Sequence, residues 1–313
     1  TYMESVMWAF KQLSDKGLVY EGYRCLPYCW NDETPLSAHE LRMDDDVYQL
    51  RRDPAVTVGY RLETGELALI WTTTPWTLPA SLAVAFHPDF EYIALATTGA
   101  SSDGPPQDKP GTVYIVAAEL AESVIAACKL GETKELARFK GTAMERATFQ
   151  HPFLDRSILG VLATYVTADQ GTGAVHTAPS HGADDFYTGQ RYNLDSTCRV
   201  DAAGRLHVDA SAWNLSVPPA FEGKTVWAAN PVIIAMLEEN RALLASGDLV
   251  HSYPHCWRCK TELLFRLVDE WVIAMSWGDG IMRVVENATF LPETINGKAR
   301  ELDWLKNMGD WMI

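Results

Sequence analysis

The stretch Leu67-Ala68-Leu69-Ile70-Trp71-Thr72-Thr73-Thr74-Pro75-Trp76-Thr77-Leu78-Pro79 changes character halfway along. Its apolar first half reads as a buried strand. Three hydroxyls follow, and Pro75 and Pro79 then stop any regular continuation, because proline has no N–H to give to a ladder. A strand that ends this way leaves hydroxyls and main-chain N–H groups at its tip, where chemistry is often placed.

Around it, segments 56–62, 66–71, 82–86, 91–97, 112–117 and 158–167 are short, rich in β-branched or aromatic residues and bounded by turn residues, which predicts strands and a mostly β core. The segment 99–111, rich in glycine, serine and proline, is expected to be a flexible loop, and 119–129 a short helix. Near the start, Met3, Val6, Met7, Phe10 and Leu13 follow a helical period that stops at Gly17. Asn230-Pro231 predicts a helix start, with Ile233, Met236, Leu237 and Leu244 on one apolar face and a stop at Gly247. The tryptophan-rich tail from Cys256 to Ile313 has no stop signal, and the chain reads as cut at both ends.

The 313 residues carry 47% hydrophobic and 21% charged residues, as a soluble globular protein does. No apolar run approaches the roughly 18 residues that span a membrane, and Thr1-Tyr2-Met3-Glu4-Ser5 is not a basic signal-peptide start. A cytoplasmic protein with no membrane partner is therefore expected. A net charge of −15 argues against strong sequence-independent capture of nucleic acid, which depends on lysine and arginine displacing counterions. Any nucleic-acid substrate must then be delivered by other parts of a larger protein. Six cysteines are too few to suggest a disulfide scaffold; Cys25, Cys128 and Cys198 read as buried small hydrophobes or inert thiols. Asp44-Asp45-Asp46 reads as a solvated acidic turn, since no calcium-loop spacing follows.

A second polar cluster lies about a hundred residues after the first, from Gly171-Thr172-Gly173-Ala174-Val175-His176 through His181 to Asp184-Asp185-Phe186. The two together resemble the editing domain of isoleucyl-tRNA synthetases, also called connective peptide 1. Trp76 separates the first motif from valyl and leucyl relatives, which carry Thr-Thr-Arg-Pro there. Pro35-Leu36-Ser37-Ala38-His39-Glu40 and Ser252-Tyr253-Pro254-His255-Cys256-Trp257-Arg258-Cys259 resemble the segments leading into and out of that inserted domain. The family's aminoacylation signatures, His-Ile-Gly-His and Lys-Met-Ser-Lys-Ser, are absent. No synthetase activity is expected from this chain, and ATP use belongs to a catalytic domain outside it.

The resemblance implies an α+β fold with a β-barrel core ringed by helices. It divides the chain into an N-terminal connector at 1–45 with an amphipathic helix, an editing domain at 46–250 and a C-terminal connector at 251–313. It also implies a deacylase that hydrolyses valyl-tRNA specific for isoleucine, with valyl-adenylate as a further candidate substrate. The catalytic set so implied is Thr72, Thr73, Thr74, His176 and Asp185, and Trp76 and Ser81 join it in binding substrate. Asp185 would anchor the α-ammonium group, the threonines would contact the terminal adenosine and the amino-acid side chain, and His176 would line the wall that sorts side chains. Ser81 departs from the asparagine usual at its position and lacks the amide's reach. His181 is read as structural.

Such hydrolysis needs an anion for the ammonium group, donors for the oxyanion and a positioned water. No Gly-x-Ser-x-Gly elbow or assignable Ser-His-Asp set is present, which favours direct attack by water, without a cofactor. Cys256-Trp257-Arg258-Cys259 has zinc-ligand spacing, and some relatives carry Cys-x-x-Cys where this chain reads Cys29-Trp30-Asn31-Asp32. A structural zinc site could form on Cys29, Cys256 and Cys259, with Asp32 the candidate for the fourth place, where the cysteine of those relatives has been replaced. The expected partners are the tRNA 3′ end carrying valine and the rest of the synthetase polypeptide. Two rival readings are a non-catalytic module that holds the tRNA end, which a turnover assay separates, and a zinc-stabilised connector or redox protein, which metal analysis with chelation separates.

Overall fold

The computed structural model describes residues 1–42, 45–99, 101–207 and 218–313; Asp44 of the acidic run and Ala100 of the expected loop lie outside these. In chain order the elements are α1 (Tyr2–Asp15), β1 (Val19–Cys29), β2 (Thr34–Pro35), β3 (Tyr48–Leu62), β4 (Leu67–Thr72), β5 (Ala83–Phe86), β6 (Glu91–Gly99), β7 (Val113–Ala117) and α2 (Ala121–Ala127). Then come β8 (Glu132–Lys140), β9 (Thr148–Gln150), β10 (Ser157–Leu162), β11 (Ala174–Thr177), α3 (Ala183–Tyr192), α4 (Val226–Glu239) and β12 (Leu243–Pro254). The last are β13 (Leu264–Ile273), α5 (Gly278–Asn287), α6 (Gly297–Asn307) and β14 (Trp311–Met312). They form two compact units, Cys25–Leu267 and Thr1–Arg24 with Val268–Ile313, so the larger takes in 25–45 and 251–267 as well as the span 46–250.

The larger unit is built on a ten-stranded mixed sheet in the order β11-β5-β10-β9-β3-β4-β7-β6-β8, with β12 also paired to β3. The long β3 takes β12 along Tyr48–Val58 and β4 along Val56–Arg61. Leu67, Ala68, Leu69 and Ile70 of β4 are all buried, as a strand covered on both faces requires, and Val58, Tyr60, Phe86, Tyr92, Tyr114 and Phe149 fill the same interior. Five expected strands correspond to β3 through β7. The sixth is shorter than expected: β10 ends at Leu162, whose N–H donates to the Tyr192 hydroxyl (3.0 Å) and whose carbonyl accepts from Arg191. Side chains of α3 take the groups a further strand would have used, and Tyr165 and Thr167 fall in a loop.

The expected barrel is not formed: the sheet is open, with β11 at one end and β8 at the other. Closure needs pairing between the end strands, but β8 is exposed along most of its length and carries Lys134, Glu135, Arg138 and Lys140, charges that suit a free edge. On the other side Ala117 N–H donates to Thr172 O (3.0 Å), which brings β7 close to the start of β11 without a ladder.

α4 starts at Val226, four residues before the expected Asn230. Its N-cap is Thr225, whose hydroxyl accepts from Ala228 N–H (3.3 Å), and Pro231 lies inside the helix. It also ends earlier: Leu244, expected on its apolar face, belongs to β12, and the chain reverses at Asn240-Arg241, where Arg241 has φ 54°. The segment 99–111 is pinned from inside. Asp108 is buried and accepts from Thr97 Oγ1 (2.6 Å), Tyr114 Oη (3.2 Å) and Gly131 N–H (2.8 Å).

In the smaller unit, α1 has no buried residue, and Met3 and Met7 of its apolar face are exposed. β14 pairs with the Val272–Ile273 end of β13, and Trp304 and Trp311 meet edge to face. Asp310 accepts from Tyr20 Oη (2.5 Å) and Met275 N–H (2.8 Å). Among the described residues no helix is long and apolar enough to cross a membrane.

Candidate functional site

The two polar clusters meet in one cleft of about 320 Å³ at the tip of β4, lined by Thr72 and Thr73, by Tyr165 and Thr167, by the turn Gln170–Gly173 and by His176 and Asp185. The prolines place it. Thr72 ends β4, and Pro75–Ala80 winds into a 3-10 turn whose N-cap is Thr74. β11 runs antiparallel to β5, with His176 opposite Val84, which brings the second cluster beside that turn. Gly171 and Gly173 both have positive φ (79° and 75°), and a Cβ on Gly173 would lie 2.3 Å from that of Ala117, so this turn against β7 requires glycine.

A line of hydroxyls links the clusters. Thr72 Oγ1 accepts from Thr74 N–H (3.1 Å), Thr74 Oγ1 lies 3.3 Å from Thr77 Oγ1, and Thr77 Oγ1 lies 3.1 Å from His176 Nε2. The Thr77 hydroxyl donates to Thr74 O (2.8 Å), so it serves His176 as acceptor and Nε2 carries the proton. That leaves Nδ1 buried and without a partner among the described residues. Burial, helped by the charge His181 would carry, holds His176 down to about 4, so the ring is neutral at neutral pH.

Asp185 stands in the first turn of α3, after the N-cap Gly182. Its Oδ2 accepts from Ala178 N–H (2.9 Å) and its Oδ1 from the Tyr165 hydroxyl (3.0 Å). Burial pushes this carboxyl up to about 6; those two hydrogen bonds pull it down, and Asp184 adds an upward push. Above that value the cleft is lined by an anion and a neutral imidazole. This is a site that can bind a cationic group.

Of the expected residues, Thr72, Thr73, His176 and Asp185 line the cleft, while Thr74 backs it through its hydrogen bonds. Trp76 and Ser81 lie behind it. Trp76 is buried edge-on to His181 (4.9 Å) and Trp227 (6.2 Å), and the fully buried Ser81 accepts from Tyr60 Oη (3.2 Å). His181 is likewise buried, with Nδ1 3.0 Å from Phe265 O. Tyr165 was not singled out in the sequence because it sat inside an expected strand. Thr77 was in plain view, but only the fold reveals its histidine partner. A larger cleft of about 660 Å³ shares the Gln170–Thr172 wall, yet its charged lining (Glu119, Asp169 and Asp248) is all acidic and unsuited to phosphates.

Elsewhere in the same unit, one ligand atom from each of Cys29, Asp32, Cys256 and Cys259 lies within 4.8 Å of the others. Cys29 Sγ is 3.4 Å from Cys259 Sγ, and Cys256 Sγ is 3.5 Å from Asp32 Oδ2. Tetrahedral zinc with bonds of about 2.3 Å spaces its sulfurs about 3.8 Å apart, so three thiols and a carboxylate at these separations fit that ion.

Isoleucine–tRNA ligase of Mycobacterium leprae (strain TN) is 40% identical over 337 residues, covering all of this chain and 30% of that protein. The ligase of Petrotoga mobilis is 33% identical, again over the whole chain and 32% of its own length. The chain thus spans about a third of the curated relatives it matches. Among solved structures, the P.knowlesi cytosolic leucyl-tRNA synthetase editing domain is 12% identical with a TM-score of 0.47, over 68% of this chain and 100% of that one. The P.falciparum counterpart gives 9% and 0.43, over 61% and 98%. The model of the family described as tRNA synthetases class I (I, L, M and V) matches residues 1–313, and the chain belongs to that family.

Proposed function

We propose that this chain is the editing part of an isoleucine-specific synthetase and hydrolyses the ester between valine and the isoleucine tRNA. The observation that carries the reading is the clamped carboxylate of Asp185 across a small cleft from the threonine-lined tip of β4. An α-ammonium group is the natural counter-ion for a carboxylate held in this way, and a pair so shielded from water is stronger than one in solvent. The family and the 40% identical isoleucine–tRNA ligase supply the nucleic acid and the amino acid.

Selectivity follows from rigidity. One methylene is worth only about 1–3 kcal/mol in a binding pocket, a limit for which isoleucine and valine are themselves the standard example. A second pocket that shuts out the larger side chain overcomes it, provided its wall does not yield. His176 is buried and tethered to Thr77, which anchors to Thr74 in turn, so a bulkier side chain would meet a wall that cannot swing aside. Water attacks the ester carbonyl directly, and the chemistry needs no metal. Zinc on Cys29, Asp32, Cys256 and Cys259 is proposed as a structural cross-link. In a single-turnover assay with valyl-tRNA, wild type should release valine and Asp185→Ala should be slowed at least about 100-fold, with wild-type turnover surviving chelation. Equal rates for the two proteins would reject the assignment.

A further inference from the structure

We propose that Tyr165 is a positioning residue: its phenol, together with the Ala178 amide, fixes the Asp185 carboxylate in the one orientation that receives the substrate's ammonium group. This rests on the editing reading for its substrate, but its geometric core does not. Each carboxylate oxygen has one donor, Tyr165 Oη on Oδ1 (3.0 Å) and Ala178 N–H on Oδ2 (2.9 Å). Gly182 lies against the carboxylate, since an added Cβ there would stand 2.9 Å from Oδ2, so no larger residue fits beside it in this orientation. Each oxygen keeps a further lone pair for the substrate. Tyr165 itself is seated rather than free, its ring packed against the cluster formed by Ala83, Ala85, Val161, Ala163 and Val166. It also lines the same cleft as Asp185.

The second consequence is electrostatic. The groups acting on Asp185 are the Tyr165 phenol, the Ala178 N–H, the adjacent Asp184 and the nearby Cys25 thiol. Burial raises the carboxyl, and Asp184 adds to that; the two hydrogen bonds oppose both. Cys25 is buried and its thiol is pushed far up, so it stays neutral and adds no charge beside the carboxylate. Removing the phenol takes away one of two stabilising contacts to the anion, and the carboxylate will hold its proton to higher pH.

The test is a pH titration of the Asp185 side-chain carboxyl by carbon-13 NMR in wild type and Tyr165→Phe, assigned with Asp185→Asn, alongside deacylation rates on valyl-tRNA. The expected result is a midpoint near 6 in wild type that moves up by about one pH unit in the variant, at similar thermal stability. The acid limb of the rate should follow it, giving about threefold slower hydrolysis at pH 6.5 from protonation alone and no such loss at pH 8.5. A merely structural role would lower the rate at every pH and leave the midpoint in place. That outcome overturns the proposal. Should Tyr165→Phe not fold, 3-fluorotyrosine at position 165 is a stronger donor and should lower the midpoint; an unmoved midpoint again overturns it. Wild type that titrates as expected but does not hydrolyse valyl-tRNA would count against the editing reading, while the shift would still decide the role of Tyr165.

Discussion

At the scale of single residues, the site depends on a histidine that stays neutral and an aspartate that must ionise. Burial holds His176 to about 4 and raises Asp185 to about 6, so hydrolysis should fall as pH drops through 6, when the aspartate gains its proton. A pH–rate profile flat down to pH 5 would contradict that role for Asp185. Thr77→Val should leave both ring nitrogens of His176 without partners and cost about 1–3 kcal/mol, read as a lower midpoint in urea unfolding. It should also loosen the wall and let isoleucyl-tRNA be cleaved. Thr72, Thr73, His176 and Asp185 were legible through the resemblance of their two motifs to the editing domain's, and the fold brings them to one cleft. Tyr165 was not, because nothing local says that a β-branched and aromatic run stops at Leu162; the stop is imposed by Tyr192 and Arg191 some thirty residues on.

At the scale of elements, the apolar runs located β3 through β7, since a strand buried on both faces leaves a continuous hydrophobic signature, while β8, β9, β11 and β12 were not expected. Strand order was not legible: β12 pairs with β3 across about two hundred residues, and β10 with β5 across more than seventy. The start of α4 misled because Asn230-Pro231 carries the residue types of a helix start, while Thr225, the true cap, precedes Val226-Trp227 with no such emphasis. The cluster of Cys29, Asp32, Cys256 and Cys259 likewise ties distant elements, joining the end of β1 to the turn after β12. Zinc measured by mass spectrometry should approach one per chain in wild type, fall in Asp32→Ala and hold more tightly in Asp32→Cys, where a thiolate replaces the carboxylate. Zinc content unchanged by Asp32→Ala would remove Asp32 from the ligand set.

At the scale of the whole molecule, acid should unfold the protein through its buried histidines. His176 and His181 are both held to about 4, below an ordinary 6.5, so each contributes stability that is full above 6.5 and is lost as pH falls through 4. Asp185 has the opposite sign, gaining its proton more readily when folded, and returns part of that loss between about 6 and 3.8. Urea unfolding at pH 7 and pH 4.5 should differ by a few kcal/mol, with a smaller difference in His181→Phe. The net charge of −15 leaves tRNA affinity to a few local cations, so cleavage by this chain alone should weaken as salt rises. The central claim is discrimination by an exclusion pocket. The most direct measurement compares initial rates of deacylation of valyl- and isoleucyl-tRNA, both on the isoleucine tRNA, at low salt. Valine should leave more than about 200 times faster than isoleucine, because exclusion exceeds the roughly 10–200-fold that one methylene sets for simple binding. Equal rates for the two esters would contradict the account.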